Sequence, residues 1–273
     1  KNGEVTSYDA ALILQYLVGN TDLDAAQLWN ADVSGLEGTT AYDASLIDVI
    51  KLKLHFPLYP KESIRIETPF FVKIPQVFSR LGHTGKHYEM TQWYPKPAVY
   101  DRKGWHPMPY LNQGEFYSEY GSFDVKITLP KNYRIMATGD LVDGEEEYAW
   151  LDSLTVVADS IHSLPEKDFK KWVKSQKKKS DSDTTSSEMK TLHFHQHHVH
   201  DFAWFADKKW LVQKGKLNLA DSTRKVTLWS FYLPKNAKLW ENSIEYLHDS
   251  GYWYSRYYGD YPYNHITAVD GDL

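Results

Sequence analysis

An eight-residue string occurs twice near the start of this chain. Thr6-Ser7-Tyr8-Asp9-Ala10-Ala11-Leu12-Ile13 returns 34 residues later as Thr40-Ala41-Tyr42-Asp43-Ala44-Ser45-Leu46-Ile47, identical at six of the eight positions. A period of that length marks a repeated supersecondary unit. In each copy a polar, glycine-containing loop leads into an apolar stretch at helical spacing. Leu12, Tyr16 and Leu17 share a face in the first, and Leu46, Ile47 and Ile50 in the second. Gly19 ends the first predicted helix and Pro57 stops the second. The loops read as candidate calcium loops, because a hard cation takes oxygen ligands at fixed loop positions. In the second copy Asp32, Ser34 and Asp43 fall at the first, third and twelfth positions, and Gly38 offers its carbonyl at the seventh. Leu36 at the fifth position cannot ligate, and Glu37 stands where glycine is usual. The first copy supplies a sparser set, Asn2, Glu4 and Asp9. The other reading is a helical hairpin in which the aspartates are N-caps.

On this repeat and its Tyr-Asp-Ala spacing, residues 1–57 resemble a type I dockerin module, a pair of EF-hand-like loop–helix units. The resemblance implies calcium in the loops and a cohesin as docking partner.

Charge changes near residue 60. The first sixty residues hold three lysines against eight acidic residues, whereas the rest balances at 28 of each sign. No basic excess marks a nucleic-acid footprint, so no nucleic-acid partner is expected. No apolar run is long enough for a transmembrane segment. Cysteine is absent, which excludes a disulfide framework, a thiol nucleophile and cysteine-ligated zinc. The chain begins without Met and shows no signal peptide, and it stops in mid-pattern at Asp270-Gly271-Asp272-Leu273. A fragment truncated at its C-terminus is the expectation.

Beyond residue 60 the apolar period becomes two. Ile64 and Ile66, Phe70 to Ile74, Phe123 to Leu129, Tyr133 to Leu141, Ala149 to Ala158, Met189 to Val199 and Lys225 to Leu233 all read as strands. Short strands with turn signals between them predict a mainly antiparallel β sandwich or saddle. Lys167 to Ser187, with its triple lysine and its Ser/Thr/Asp run, reads as a solvated hairpin tip. Leu239 to Tyr258 reads as an amphipathic helix with Trp240, Ile244, Leu247 and Tyr254 near one face, and Ile266 to Val269 as a strand after it.

Candidate chemistry in this body is sparse. His193, His195 and His197 alternate and share one strand face, with His198 and His200 opposite. Three imidazoles could hold zinc or nickel. A flat strand spaces them poorly for a tetrahedral site, and no paired carboxylate is evident in sequence, so adventitious metal binding is the expectation. Glu115 and Glu119 form no more than an ordinary carboxylate pair. No nucleotide-binding glycine motif, no Gly-x-Ser-x-Gly elbow and no His-Glu-x-x-His pair occurs.

Longer strings carry more. Thr91-Gln92-Trp93-Tyr94-Pro95-Lys96-Pro97-Ala98-Val99-Tyr100-Asp101 is followed by Gly104-Trp105-His106-Pro107, then by Gln113 to Asp124, Ala137-Thr138-Gly139-Asp140, Val199 to Ala206 and Tyr257 to Tyr263. In order and spacing, from Ser63 to Asp270, they resemble the aminopeptidase N family of zinc metallopeptidases (gluzincins), in particular its bacterial secreted or surface branch.

The resemblance divides the chain into a dockerin-like pair at 1–60, the β-saddle domain of an aminopeptidase at 61–232, and the opening helix and strand of a thermolysin-like α/β domain at 233–273. It implies a parent that removes N-terminal residues from peptides with a catalytic zinc. It also implies an extracellular, periplasmic or cell-surface location. The zinc ligands, general base and oxyanion-stabilising tyrosine have no counterpart in these residues, so the chain alone is expected to be inactive. Within the family's pocket segment, Gln92 matches the glutamine that lines the first substrate subsite. Tyr94 falls where an acidic or amide residue grips the peptide amine, and it cannot supply a carboxylate. The competing reading is a non-catalytic module: a dockerin for cohesin, with an aromatic β domain that binds carbohydrate or peptide.

Overall fold

The computed structural model describes residues 49, 52–54, 56–76, 81–108, 116–182, 184–219 and 223–271, with the side chains of 178–182 left out. Of the predicted dockerin-like pair at 1–60 only residues 49, 52–54 and 56–60 are among them, none in a helix, and Asn2, Glu4, Asp9, Asp32, Ser34, Gly38 and Asp43 lie outside the described residues. The chain divides into two compact units, residues 1–84 with 90–119, and residues 85–89 with 120–273.

The described residues of the first unit are mostly irregular. The unit holds β1 (Leu81–Thr84) and a hairpin of β3 (Val99–Asp101) and β4 (Gly104–His106), whose register places Tyr100 opposite Trp105. The strands expected at Ile64, Ile66 and Phe70 to Ile74 do not form; one isolated bridge, Gln76 to His83, stands near there. Pro69 and Pro75 bracket that stretch and withdraw two backbone donors from any ladder, which the apolar alternation does not reveal.

The second unit carries the sheets. β5 (Gly121–Pro130), β8 (Met189–Val199) and β7 (Asp140–Val142) form one antiparallel sheet in the order β5-β8-β7. In another, β9 (Trp204–Asp207) lies between β2 (His87–Met90) and β6 (Arg134–Ala137). β10 (Leu211–Asn218), β11 (Lys225–Tyr232) and β12 (His265–Val269) make the third, with β10 antiparallel and β12 parallel to β11. The expectation of a mainly antiparallel β body holds in this unit. The single strand expected from Tyr133 to Leu141 is two strands in two sheets. Gly139, at φ +91°, turns the chain between them, and a Cβ there would lie 2.6 Å from the His195 carbonyl oxygen.

Two expectations about 145–187 are overturned. Glu145–His162 is a helix, α1, where Ala149 to Ala158 had read as a strand. Leu151, Ala158 and Ile161 are buried at helical spacing, while the β-branched Val156 and Val157 that suggested a strand face solvent. Three glutamates in its first turn suit the positive end of the helix dipole. Glu166–Ser182 is a second helix, α2, and not a solvated hairpin tip. Its lysine-rich face is exposed, but Phe169 is buried and Trp172 and Val173 pack beside it against Ala158, Ile161 and Tyr232. Three apolar residues at i, i+3 and i+4 are enough to dock a helix that is otherwise polar.

After a 3-10 turn (Pro234–Asn236) come α3 (Ala237–Trp240) and α4 (Ser243–Tyr258). The expected helix is therefore interrupted at Glu241 and Asn242. Ile244 and Leu247 pack on Leu217, Val226 and Leu228 of the third sheet, whereas Tyr254, expected on the same face, points to solvent. On the opposite face of that sheet, Trp210, Val212, Trp229 and Phe231 pack on Leu151 of α1 and Met136 of β6. Asp270 locks the end of β12: its amide bonds the Phe231 carbonyl at 2.8 Å, and its carboxylate accepts from the Leu233 amide at 2.9 Å and Asn236 at 2.8 Å. No helix among the described residues is long and apolar enough to cross a membrane.

Gly251 gives a test of this packing. An alanine in a helix interior ordinarily stabilises by about 1 kcal/mol over glycine. Here a Cβ would stand 2.7 Å from Leu217 Cδ2 and 2.9 Å from Ile266 Cδ1. Overpacking of that kind costs about 1–3 kcal/mol, so Gly251→Ala is expected to lower the thermal midpoint. A raised midpoint would show that α4 is not pressed against β10 and β12.

Candidate functional site

The segment singled out by sequence, Thr91 to Tyr94, leaves β2 as a series of bends and is not a strand. The period-two argument that would put Gln92 and Tyr94 on one face does not apply to it. Gln92 is buried, at 7% exposure, and Trp93 and Tyr94 are half-buried. The Trp93 ring lies 6.1 Å from Phe70 and 5.2 Å, edge-on, from Tyr94. The Lys96 ammonium stands 5.9 Å from the centre of the Tyr94 ring and 5.1 Å from that of Phe116. The first unit thus presents an aromatic ledge with a buried amide behind it and a cation at one end. Such a set can hydrogen-bond a peptide group and stack on apolar side chains, but it contains no acid–base pair.

Further along the first unit, Tyr100 and Trp105 pair across the hairpin with ring centres 5.0 Å apart, and both are about two-thirds exposed. Behind them Asp101 accepts from His106 Nε2 at 2.8 Å and from the Lys103 amide at 2.7 Å. These hydrogen bonds hold the Asp101 carboxyl below its ordinary value.

The second unit buries an ionic group that sequence reasoning missed. His87 Nε2 is 2.9 Å from Glu89 Oε1 and its Nδ1 is 3.3 Å from Asp207 Oδ2. All three residues are buried, and the imidazole meets Trp210 edge-on at 5.6 Å. Burial works against the charged imidazole, but the hydrogen bonds and charges of Asp207 and Glu89 outweigh it and push His87 up to about 9. The sequence signal was present but weak: His87 and Glu89 alternate on a short strand, and Asp207 lies far away in sequence on the neighbouring strand.

The same unit contains a cavity of about 230 Å³ walled by Met136, Phe205, Tyr261, Tyr263, His265 and Val269 among others. Its polar groups are engaged within the protein. Tyr263 donates to the His198 carbonyl at 2.6 Å, and His265 Nε2 lies 2.9 Å from the Gly139 carbonyl. It offers an apolar wall for at most a side chain, below the usual size of a ligand pocket.

His193, His195 and His197 lie along β8 on one face, as the alternation predicts, and the carboxylate not evident in sequence is Asp124 on β5. Its Oδ1 is 2.7 Å from His193 Nε2 and its Oδ2 is 3.1 Å from His195 Nδ1. Hydrogen bonds from both imidazoles hold Asp124 below the usual carboxylate range. Catalytic zinc, implied by the family resemblance, does not fit the residues present. Among the described residues no group of three or more His, Asp or Glu side chains is placed to hold one ion.

No protein-family model matches the chain, and no curated protein matches it in sequence. Among solved structures, one similar chain is a two-domain M1 zinc metallopeptidase, crystallised in a mutant form with L-arginine. It shows 14% identity and a TM-score of 0.30, with 61% of this chain and 29% of that chain covered. This chain therefore spans less than a third of that protein's length, and a TM-score of that size leaves the functional reading to this chain's own residues.

The His87 group makes stability depend on pH. Its folded value of about 9 lies above the ordinary 6.5, so its contribution is complete below pH 6.5 and is lost as pH rises through about 9. Unfolding midpoints followed by circular dichroism should fall between neutral pH and pH 9. His87→Gln should be less stable at neutral pH and flat across that window. An unchanged slope in the variant would assign the pH dependence to another group.

Proposed function

We propose that this chain is the substrate-facing β body of a secreted or surface zinc metallo-aminopeptidase. The observation that carries the reading is the run of strings from Thr91 to Tyr263, which resemble that family in order and spacing. Gln92, buried beside half-exposed Trp93 and Tyr94, has the character of an amide lining a first subsite. Its partner for the peptide's free amine would not be Tyr94, whose phenol carries no charge to match an ammonium. The zinc and the catalytic base would be held by residues outside this sequence, which has no His-Glu-x-x-His. Residues 1–57 would form the dockerin-like appendage, with calcium and a cohesin as its ligand and partner.

A second reading is favoured by one specific feature, the exposed Tyr100–Trp105 pair. Two aromatic faces on a short hairpin, with Arg102 and Lys103 at its turn, suit a carbohydrate or peptide bound without chemistry.

Two measurements test the first reading. The 273-residue chain should not turn over aminoacyl-arylamides, with or without added zinc. In the natural full-length protein, Gln92→Ala should raise KM about fivefold at little cost in thermal stability, the effect of losing one neutral hydrogen bond of about 1 kcal/mol. Unchanged kinetics beside a large loss of stability would make Gln92 a structural amide. Chelator-sensitive turnover by the isolated chain would contradict the placing of the zinc ligands elsewhere.

A further inference from the structure

We propose that His195 and His197 form a two-imidazole site for a divalent copper ion on the open face of the β5-β8-β7 sheet. Their Nε2 atoms face each other at 2.9 Å, with ring centres 4.4 Å apart. That separation is also that of an N–H···N hydrogen bond, and it is short enough for both nitrogens to reach one ion. Two nitrogens at about 2.0 Å from an ion are separated by about 2.8 Å when they meet it at a right angle, as in tetragonal copper(II). A tetrahedral zinc ion with the same bonds would spread them to about 3.3 Å. The pair as it stands is nearer the right-angle edge than the tetrahedral one.

The groups behind the pair set its protonation. Ionised Asp124 can only accept, so His195 must donate from Nδ1 to Asp124 Oδ2, which leaves Nε2 with a bare lone pair. His197 Nδ1 lies 2.7 Å from Ser122 Oγ, and a hydroxyl can give or take. In the metal-free state a consistent chain runs from Ser122 to His197 to His195 to Asp124, with His197 Nε2 donating to His195 Nε2. Copper needs one change: His197 carries its proton on Nδ1 and donates it in a hydrogen bond to Ser122 Oγ, whose hydroxyl rotates. Both Nε2 lone pairs are then available to the ion. Each ligating ring keeps an oxygen partner on its other nitrogen, the arrangement that fixes tautomer and orientation in metal sites.

Sequence and register explain why the site is here. Asp124 and Asp140 lie directly opposite His195 from the two neighbouring strands, and Lys126 lies opposite His193. Two carboxylates against one ammonium favour a cation at the centre of the row. A register irregularity between Gly121 and Phe123 lets Ser122 reach His197; bulges of this kind commonly re-aim a side chain. The inward side of the same strands carries Ile127, Leu129 and Phe194, all buried. The sheet therefore stands without the histidines, and the side chains of His195 and Asp124 are 37% and 62% exposed, open to an ion from solution.

The test is titration of the chain with Cu2+, read by electron paramagnetic resonance and by competition with glycine. One ion should bind with two equatorial nitrogen donors. His195→Gln and His197→Gln should each abolish the two-nitrogen spectrum. Asp124→Asn should keep it while weakening binding at least about tenfold, the usual cost of removing an outer partner. His200→Gln, outside the pair, should change nothing. Circular dichroism checks that each variant stays folded. Copper outranks zinc on most nitrogen sites, so metal preference alone does not decide. Spectra unaltered in His195→Gln and His197→Gln, or an equal loss in His200→Gln, would overturn the site and leave adventitious copper on surface histidines.

Discussion

The second unit depends on burying β11 from both sides. Val226 and Leu228 face α4, and Trp229 and Phe231 face α1, all with almost no exposure. A strand covered on both faces needs helices above and below it, and the chain supplies them from both directions: α1 before the strand, α4 after it. Its two buried hydroxyls are satisfied, Ser230 by Ser243 at 2.7 Å, at the start of α4, and Tyr232 by His162 Nε2 at 3.0 Å. β12 completes the sheet on the parallel side, and Asp270 ties its end to the start of the 3-10 turn. The order strand, crossover helix, parallel strand from β11 through α4 to β12 is what gives this unit an α/β edge beside its antiparallel sheets.

Legibility in sequence followed the kind of burial each segment has. β5 alternates cleanly because one face is solvated, and β5 and β8 both read as strands from their sequence pattern. β11 was readable as a dense run of β-branched and aromatic residues. α1 was misread because Thr155-Val156-Val157 mimics a strand, although those valines are on the exposed side of the helix. α2 was missed because a few apolar residues among lysines make a weak signal until Tyr232 and Ile161 provide a surface for them. The proline-bracketed stretch at 64–74 shows the converse, an alternating pattern with no strand to answer it.

The sites divide the same way. Gln92 and Tyr94 came from a string, and the fold changes only their setting, from a strand to bends with one residue buried. The histidine row was visible as a spacing, but its meaning depends on Asp124, Asp140 and Ser122, which arrive by cross-strand register. His87 with Glu89 and Asp207 could not be assembled without knowing that β2 and β9 are neighbours. The first unit carries the aromatic ledge and the Asp101–His106 pair, and the second carries the buried His87 group and the exposed histidine row.

The central claim is that Gln92 belongs to a peptide-binding subsite. A crystal structure of the natural full-length protein with an amino-acid hydroxamate tests it most directly. The ligand's side chain is expected against Trp93 and Tyr94, with the Gln92 amide in hydrogen-bond reach of the ligand's backbone, at about 2.9 Å. A ligand seated elsewhere, with Gln92 bonded only within its own unit, would contradict it.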